Sequence, residues 1–224
     1  MNSASILDLV VPRCCVVCRS GEDDVCAACL SSLRRLHPPL CARCGGPTAW
    51  PVERCSECAG RRLAFRTARA AVAYDGPART LVTAWKERGL RRLAETFAAL
   101  TADVVARTPA DALAFVPADR ERTLWRGHNT AEVFGRELAR AWDLPVFGGL
   151  ARVGRRERQR GLSRSERRAN VRGAFTVRGE APRRLVLVDD VYTTGATVSV
   201  AATELRRVGA TVIDVVTFAR AVRG

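Results

Sequence analysis

The chain has 224 residues, with 37 Lys plus Arg against 23 Asp plus Glu and a formal charge of +14. That length suits one full domain with a smaller module beside it. No apolar run approaches the roughly 18 residues a membrane helix needs. No basic stretch leads into an apolar signal core, so the expectation is a cytoplasmic protein without membrane insertion. The charge points to an anionic partner such as nucleic acid. Lys86 is the only lysine, so the basic character is almost all arginine.

All nine cysteines fall within the first 58 residues. Eight form C-x-x-C pairs: Cys15 with Cys18, Cys26 with Cys29, Cys41 with Cys44, and Cys55 with Cys58. Cys14 is the ninth. One such pair puts two thiolates on a tight knuckle, and two knuckles complete the tetrahedron that zinc prefers. In a reducing compartment this spacing reads as metal rather than disulfide. An iron–sulfur cluster is the other occupant the thiolates admit. Sequential assignment gives Cys15, Cys18, Cys26, Cys29 and then Cys41, Cys44, Cys55, Cys58. Interleaved pairing, or Cys14 in place of Cys15, is the alternative. Sites made only of cysteine leave no open position, so both zinc ions are structural. Gly45-Gly46 supplies a turn after Cys44. Residues 1–62 hold too few large apolar side chains for a core, and metal would supply much of their folding energy. Residues 63–224 are expected to fold around a separate core. Two zinc-bound tetrathiolates would lower the net charge to about +10.

The remaining elements alternate. Arg69 to Tyr74 reads as a strand, followed by a turn at Asp75-Gly76 and a short helix over 77–88 with Pro77 in its first turn. Leu90, Leu93, Phe97, Leu100 and Val104 keep helical period over 90–106. Asp111 to Val116 is the next strand, closed by Pro117 and followed by a basic loop to His128. Asn129 is placed to cap a helix over 130–142, with Glu132 three residues on. Its apolar face is Ala131, Phe134, Leu138 and Ala141. Residues 143–180 are irregular and rich in arginine. A strand over 185–191, a helix over 196–208 ended by Gly209, and a strand over 211–218 complete a β-α-β unit. The alternation argues a parallel sheet flanked by helices.

The most informative stretch is Val186 to Thr197. Its branched apolar run reads as a strand buried on both faces. Asp189 and Asp190 then lie at the carboxyl end, where open α/β sheets bind ligands. Thr193, Thr194, Gly195, Ala196 and Thr197 form a turn opening the next helix. Backbone N–H groups, hydroxyls and the helix dipole there suit a phosphate. Carboxylates would repel a bare phosphate, but they suit sugar hydroxyls or a metal on the same ligand. The implied ligand is a sugar phosphate.

This stretch resembles the fingerprint of type I phosphoribosyltransferases, which bind 5-phosphoribosyl 1-pyrophosphate (PRPP). That resemblance puts the ribose hydroxyls on Asp189 and Asp190 and the 5-phosphate on Thr193 to Thr197. Over nearly the whole length, the chain is similar to the ComF family, competence-associated phosphoribosyltransferase-like proteins with an N-terminal double zinc ribbon. The matching pieces are the cysteine pairs, Trp85 to Gly89, Val116-Pro117, Arg126-Gly127-His128-Asn129, Gln159 to Ser163, Arg164 to Phe175 and the terminal acidic–threonine stretch. Departures are His128 and Thr130, where the family has Phe and Gln, Glu87 after the lysine, and Phe115 before Val116-Pro117.

The resemblance implies an α/β fold with a type I phosphoribosyltransferase-like sheet and a small zinc-ribbon module. It implies Mg²⁺ bound with PRPP, and contacts to that ligand from Lys86 and Arg126. Arg120, Arg122 and Arg126 follow a strand end where enzymes of this fold bind pyrophosphate; each reads equally well as a solvated loop cation. Arg152 to Gln159 would close over the ligand or line a nucleic-acid path. No residue is assigned a catalytic role, because pyrophosphate departure from the ribose needs electrostatics and positioning rather than a nucleophile. Three functional readings stand. One is a phosphoribosyltransferase in nucleotide metabolism or DNA uptake. Another is a non-catalytic PRPP-dependent binder of single-stranded DNA, working with other DNA-uptake proteins. The third is a zinc-ribbon interaction or regulatory protein.

Overall fold

The computed structural model describes residues 14–119, 123–125, 127–153 and 174–222. Four strands form a sheet in the order β1-β6-β5-β2, and every pairing is parallel. These are β1 (Thr67–Ala73), β2 (Ala112–Phe115), β5 (Arg184–Tyr192) and β6 (Val212–Arg220). All four carboxyl ends therefore share one edge of the molecule. The alternation along β5 shows why the sheet is covered on both sides. Val186 and Val188 point into one apolar cluster, and Leu185 and Leu187 into another. All four are buried.

Helices α2 (Gly76–Glu87), α3 (Leu93–Val104) and α4 (Thr130–Ala141) cover the first face. Leu81, Trp85, Phe97, Phe134 and Leu138 fill the space beneath them. Trp85 meets Phe97 and Phe134 edge-on, and Phe97 stacks on Phe218 of β6 with centroids 3.8 Å apart. Helix α5 (Ala196–Arg207) covers the second face with Val198, Ala201, Ala202 and Leu205. Gly209 follows it at φ +118, where its missing Cβ clears the Ala181 carbonyl oxygen. The expected elements all form, with ends shifted by a few residues; α3 starts at Leu93 rather than Leu90 because the chain turns at Gly89 with φ +66.

Three expectations are corrected. Asn129 makes no capping bond; its side-chain amide donates to the Val116 carbonyl oxygen at 3.4 Å, which ties the start of α4 to the end of β2. Glu132 is engaged instead by Arg136 at 2.9 Å. Second, 143–180 contains a hairpin of β3 (Leu150–Arg152) with β4 (Phe175–Val177). Three residues per strand are too few to show a period. Third, the described N-terminal residues form no separate core. Cys15, Val16, Val25, Cys29 and Leu33 join the first-face cluster, while Cys41, Cys44 and Cys58 join the second-face cluster.

The link between the two cysteine groups explains this straddling. Leu36 donates its N–H to the Ala71 carbonyl oxygen and Ala73 donates to Arg34, so residues 34–36 run antiparallel along the free edge of β1. At the opposite edge, Val146 bridges to Leu113 of β2. Unpaired strand edges are open to wrong pairing, and both edges here are closed. Arg34 pairs with Asp75 at 2.9 Å, and Arg92 pairs with Asp24, so charged contacts also fasten the first cysteine group to the sheet unit.

Candidate functional site

The cysteines gather as the sequential assignment expects: Cys15, Cys18, Cys26 and Cys29 in one group, Cys41, Cys44, Cys55 and Cys58 in the other, with sulfurs of each group within 4.8 Å of one another. Short helix α1 (Ala27–Ser31) carries Cys29. Cys14 is exposed and outside both groups. Sulfur separations of 3.7 Å for Cys18–Cys26, 3.6 Å for Cys41–Cys58 and 3.5 Å for Cys44–Cys55 are close to a tetrahedral edge. That edge is about 3.8 Å for zinc–sulfur bonds of about 2.3 Å. Backbone N–H groups of Cys26 and Cys55 point at Cys15 and Cys41 sulfurs, at 3.4 and 3.3 Å.

The electrostatics also ask for a cation. Against burial, backbone donors at Cys18, Cys26 and Val17 bring the Cys15 thiol down to about 6. Against burial, donors at Cys44, Cys55 and Arg43 bring Cys41 down to about 6. Burial and the neighbouring sulfurs push Cys29 up to about 12, and burial also raises Cys44 and Cys58. Each group favours one thiolate and resists the rest until a metal neutralises them. Two four-cysteine sites of this kind fit structural zinc.

The second site lies at the carboxyl end of the sheet. Asp189 and Asp190 end the buried run of β5 and are half-buried. Lys86, in the last turn of α2, donates to Asp190 Oδ1 at 2.7 Å. Thr130, first residue of α4, donates to Asp190 Oδ2 at 2.7 Å. The Asp190 backbone N–H donates to Asp189 Oδ1 at 2.9 Å. Burial and the Asp190 carboxylate push Asp189 up to about 7, against the lowering effect of the Asp190 N–H, Lys86 and Arg152.

Beyond β5 the chain turns through Thr193 to Gly195 into α5. Thr193, Thr194, Ala196 and Thr197 are exposed, and Gly195 is buried at φ +71. A Cβ at Gly195 would lie 2.3 Å from the Tyr192 hydroxyl oxygen, so only glycine fits. The structure thus brings Lys86, Asp189 and Asp190 together, with Thr193 to Thr197 next along the chain. Arg126, Arg120, Arg122 and residues 154–173, with most of the arginine-rich run, lie outside the described residues. Arg152 is described; its guanidinium lies over Phe175 at 5.2 Å and donates to the Pro117 carbonyl oxygen at 3.5 Å.

Thr130, noted above only as a departure from the family's Gln, joins the site. Its signal is a hydroxyl opening a helix at the carboxyl end of a parallel sheet. Arg220, unassigned in the sequence, is an arginine at the end of a largely apolar strand.

The pH behaviour of the site follows from Asp189. A carboxyl raised in the folded state favours folding fully below its ordinary value, and loses that contribution as pH rises through about 7. Unliganded protein should therefore lose stability between about pH 4 and 7 through this group. Asp189→Asn should flatten that slope, with a gain on the order of 2 kcal/mol at pH 8. Denaturant titrations at several pH values check it; identical slopes in the two proteins would refute it.

Residues 6–59 match the family model of the double zinc ribbon domain. Competence protein F of Haemophilus influenzae is 30% identical over 92% of this chain and 96% of its own length. DNA utilization protein YhgH of Salmonella typhimurium is also 30% identical, over 92% and 96%. The chain belongs to the ComF family, that of competence protein F. Among solved structures, the allosteric regulatory enzyme of purine biosynthesis aligns at 24% identity with a TM-score of 0.43, covering 57% of this chain and 25% of that one. No helix among the described residues is long and apolar enough to cross a membrane.

Proposed function

We propose that the chain binds PRPP at the carboxyl end of the sheet, with Mg²⁺, as a phosphoribosyltransferase-like protein serving DNA use. One observation carries this reading: paired carboxylates at the end of β5 followed at once by an exposed hydroxyl-rich turn that opens α5. Sugar hydroxyls would meet Asp189 and Asp190. A carboxylate offers about four lone-pair sites, so Asp190 can accept a hydroxyl with Lys86 and Thr130 still bonded. The 5-phosphate would sit against the backbone N–H groups and hydroxyls of Thr193 to Thr197. Asp189, raised by burial and by its neighbour's charge, fits a site that gains from a cation. Bound Mg²⁺ would neutralise pyrophosphate oxygens and template the sugar. Lys86, Arg126 and Arg152 are the chain's own cations proposed for that end of the ligand.

Titration calorimetry with PRPP and Mg²⁺ tests the reading. Asp190→Ala should weaken binding by at least about tenfold, roughly 1.5 kcal/mol, as a charged hydrogen bond is lost. Thr194→Val should weaken it through the 5-phosphate. Unchanged affinity in both variants would place the ligand elsewhere.

A second activity is proposed on the formal charge of +14. The relative named for DNA utilization is consistent with it. Arginine pairs with phosphates and stacks on unpaired bases, so single strands should bind with little sequence preference. Replacing Arg155, Arg156 and Arg158 by Ala should lower the salt slope of binding by about two to three units. The same number of arginines removed from α5 and the turn before α3 should lower it much less. Equal loss from both sets would reduce the DNA reading to net charge.

A further inference from the structure

Arg220 ends β6 with an exposure of only 1%. A buried guanidinium is costly unless its N–H groups and its charge are answered. Here the two terminal nitrogens are answered from one place, while Nε has no hydrogen-bond partner among the described residues. Arg220 donates to the Cys44 carbonyl oxygen at 2.6 Å, to the Glu57 carboxylate at 2.6 Å and to the Cys44 sulfur at 3.6 Å. Gly46 lets the guanidinium in, since a Cβ there would come within 2.9 Å of its terminal nitrogen. All of these partners belong to the loops of the second cysteine group.

The other face of the guanidinium lies over the Tyr192 ring, 4.7 Å from its centroid. Tyr192 is the cross-strand neighbour of Arg220 where β5 and β6 end. The ring is buried and meets Phe65 edge-on at 6.3 Å. Its hydroxyl lies directly under Gly195, the left-handed residue at φ +71 that opens α5. A continuous stack therefore runs from the second cysteine group through Arg220 and Tyr192 to the hydroxyl-rich turn. The first cysteine group meets the opposite face of the sheet and has no place in this stack.

We infer that Arg220 and Tyr192 are positioning residues that couple the second cysteine group to the 5-phosphate turn. The inference rests on the PRPP reading of that turn. A zinc-filled group of four thiolates carries about two negative charges and, with Glu57, holds the guanidinium flat over Tyr192. The ring in turn supports the backbone of Gly195, and the turn keeps the shape a phosphate needs. Where the metal is lost, the guanidinium loses its anchor and the ring its cover. The second ribbon then acts as a brace for one end of the ligand site.

The test uses the full zinc-loaded chain and two probes, ribose 5-phosphate and magnesium pyrophosphate, by titration calorimetry. Tyr192→Leu should weaken ribose 5-phosphate by about tenfold or more while magnesium pyrophosphate changes by less than about twofold. Its zinc content should stay at that of the unaltered chain. Tyr192→Phe keeps the ring and should recover most of the lost affinity. Arg220→Met should show the same split between probes. Equal weakening of both probes in Tyr192→Leu, or no weakening of either, overturns the inference. Failure of the unaltered chain to bind ribose 5-phosphate overturns the PRPP reading itself, and is distinguished because it needs no variant.

Discussion

Removing zinc from the full chain should destabilise the whole protein, not residues 1–62 alone. Cys15 and Cys29 belong to the same buried cluster as Leu81, Trp85 and Phe97, while Cys41, Cys44 and Cys58 belong to that of Leu185, Leu187 and Ile213. Residues 34–36 between the groups close the edge of β1. Four unneutralised thiols at each group would have to separate or stay protonated, and either change disturbs a face of the sheet. Structural zinc contributes on the order of 10 kcal/mol of folding free energy per site. The net stability of a domain is about 5–15 kcal/mol. Trp85 and Trp142, both buried under the sheet's first face, report the outcome. Chelation should shift their fluorescence to that of exposed indole, or lower the thermal midpoint by more than about 10 °C. A sheet unit that keeps its tryptophan signal and its melting transition without metal would refute the shared core.

Lys86→Met should damage the ligand site more than any other change at a single cation. Lys86 and Asp190 are 22% and 14% exposed and 2.7 Å apart, so the pair is largely shielded from water. Removing one partner leaves Asp190 facing Asp189 with Thr130 as the one other side chain among the described residues bonded to it. Truncating one side of a well-buried pair costs about 3–5 kcal/mol, and this half-buried one about 2 kcal/mol. The cost should appear above about pH 7, where Asp189 is also ionised. Stability curves should therefore separate with rising pH, and PRPP affinity should fall with them. Adding Asp190→Asn should restore stability without restoring affinity, a non-additive pair of effects that marks direct coupling. Additive effects would mean that the pair does not act as a unit.

How legible all this was depends on the scale of each feature. Strands and helices with a sustained period, such as Leu185 to Val188 and the α3 face, were readable because burial on a fixed side repeats along the chain. The C-x-x-C pairs were readable because metal geometry fixes their spacing. The sites at the end of β5 were readable because an acidic pair has little reason to follow a buried run. Features made by distant residues were not. Nothing local shows that Arg34 to Leu36 pairs with β1, that Asn129 spends its amide on Val116, or that Arg220 reaches Cys44 across 176 positions. The separate-core expectation failed for the same reason: counting apolar residues within 1–62 cannot show that the sheet supplies their partners.

The most direct test of the central claim is a crystal structure of the full chain grown or soaked with PRPP and Mg²⁺ at saturating concentration. The predicted result is a ligand with its ribose hydroxyls on Asp189 and Asp190 and its 5-phosphate within the turn of Thr193 to Thr197. A ligand bound away from the end of β5, or a site that stays empty of it at saturation, would contradict the account.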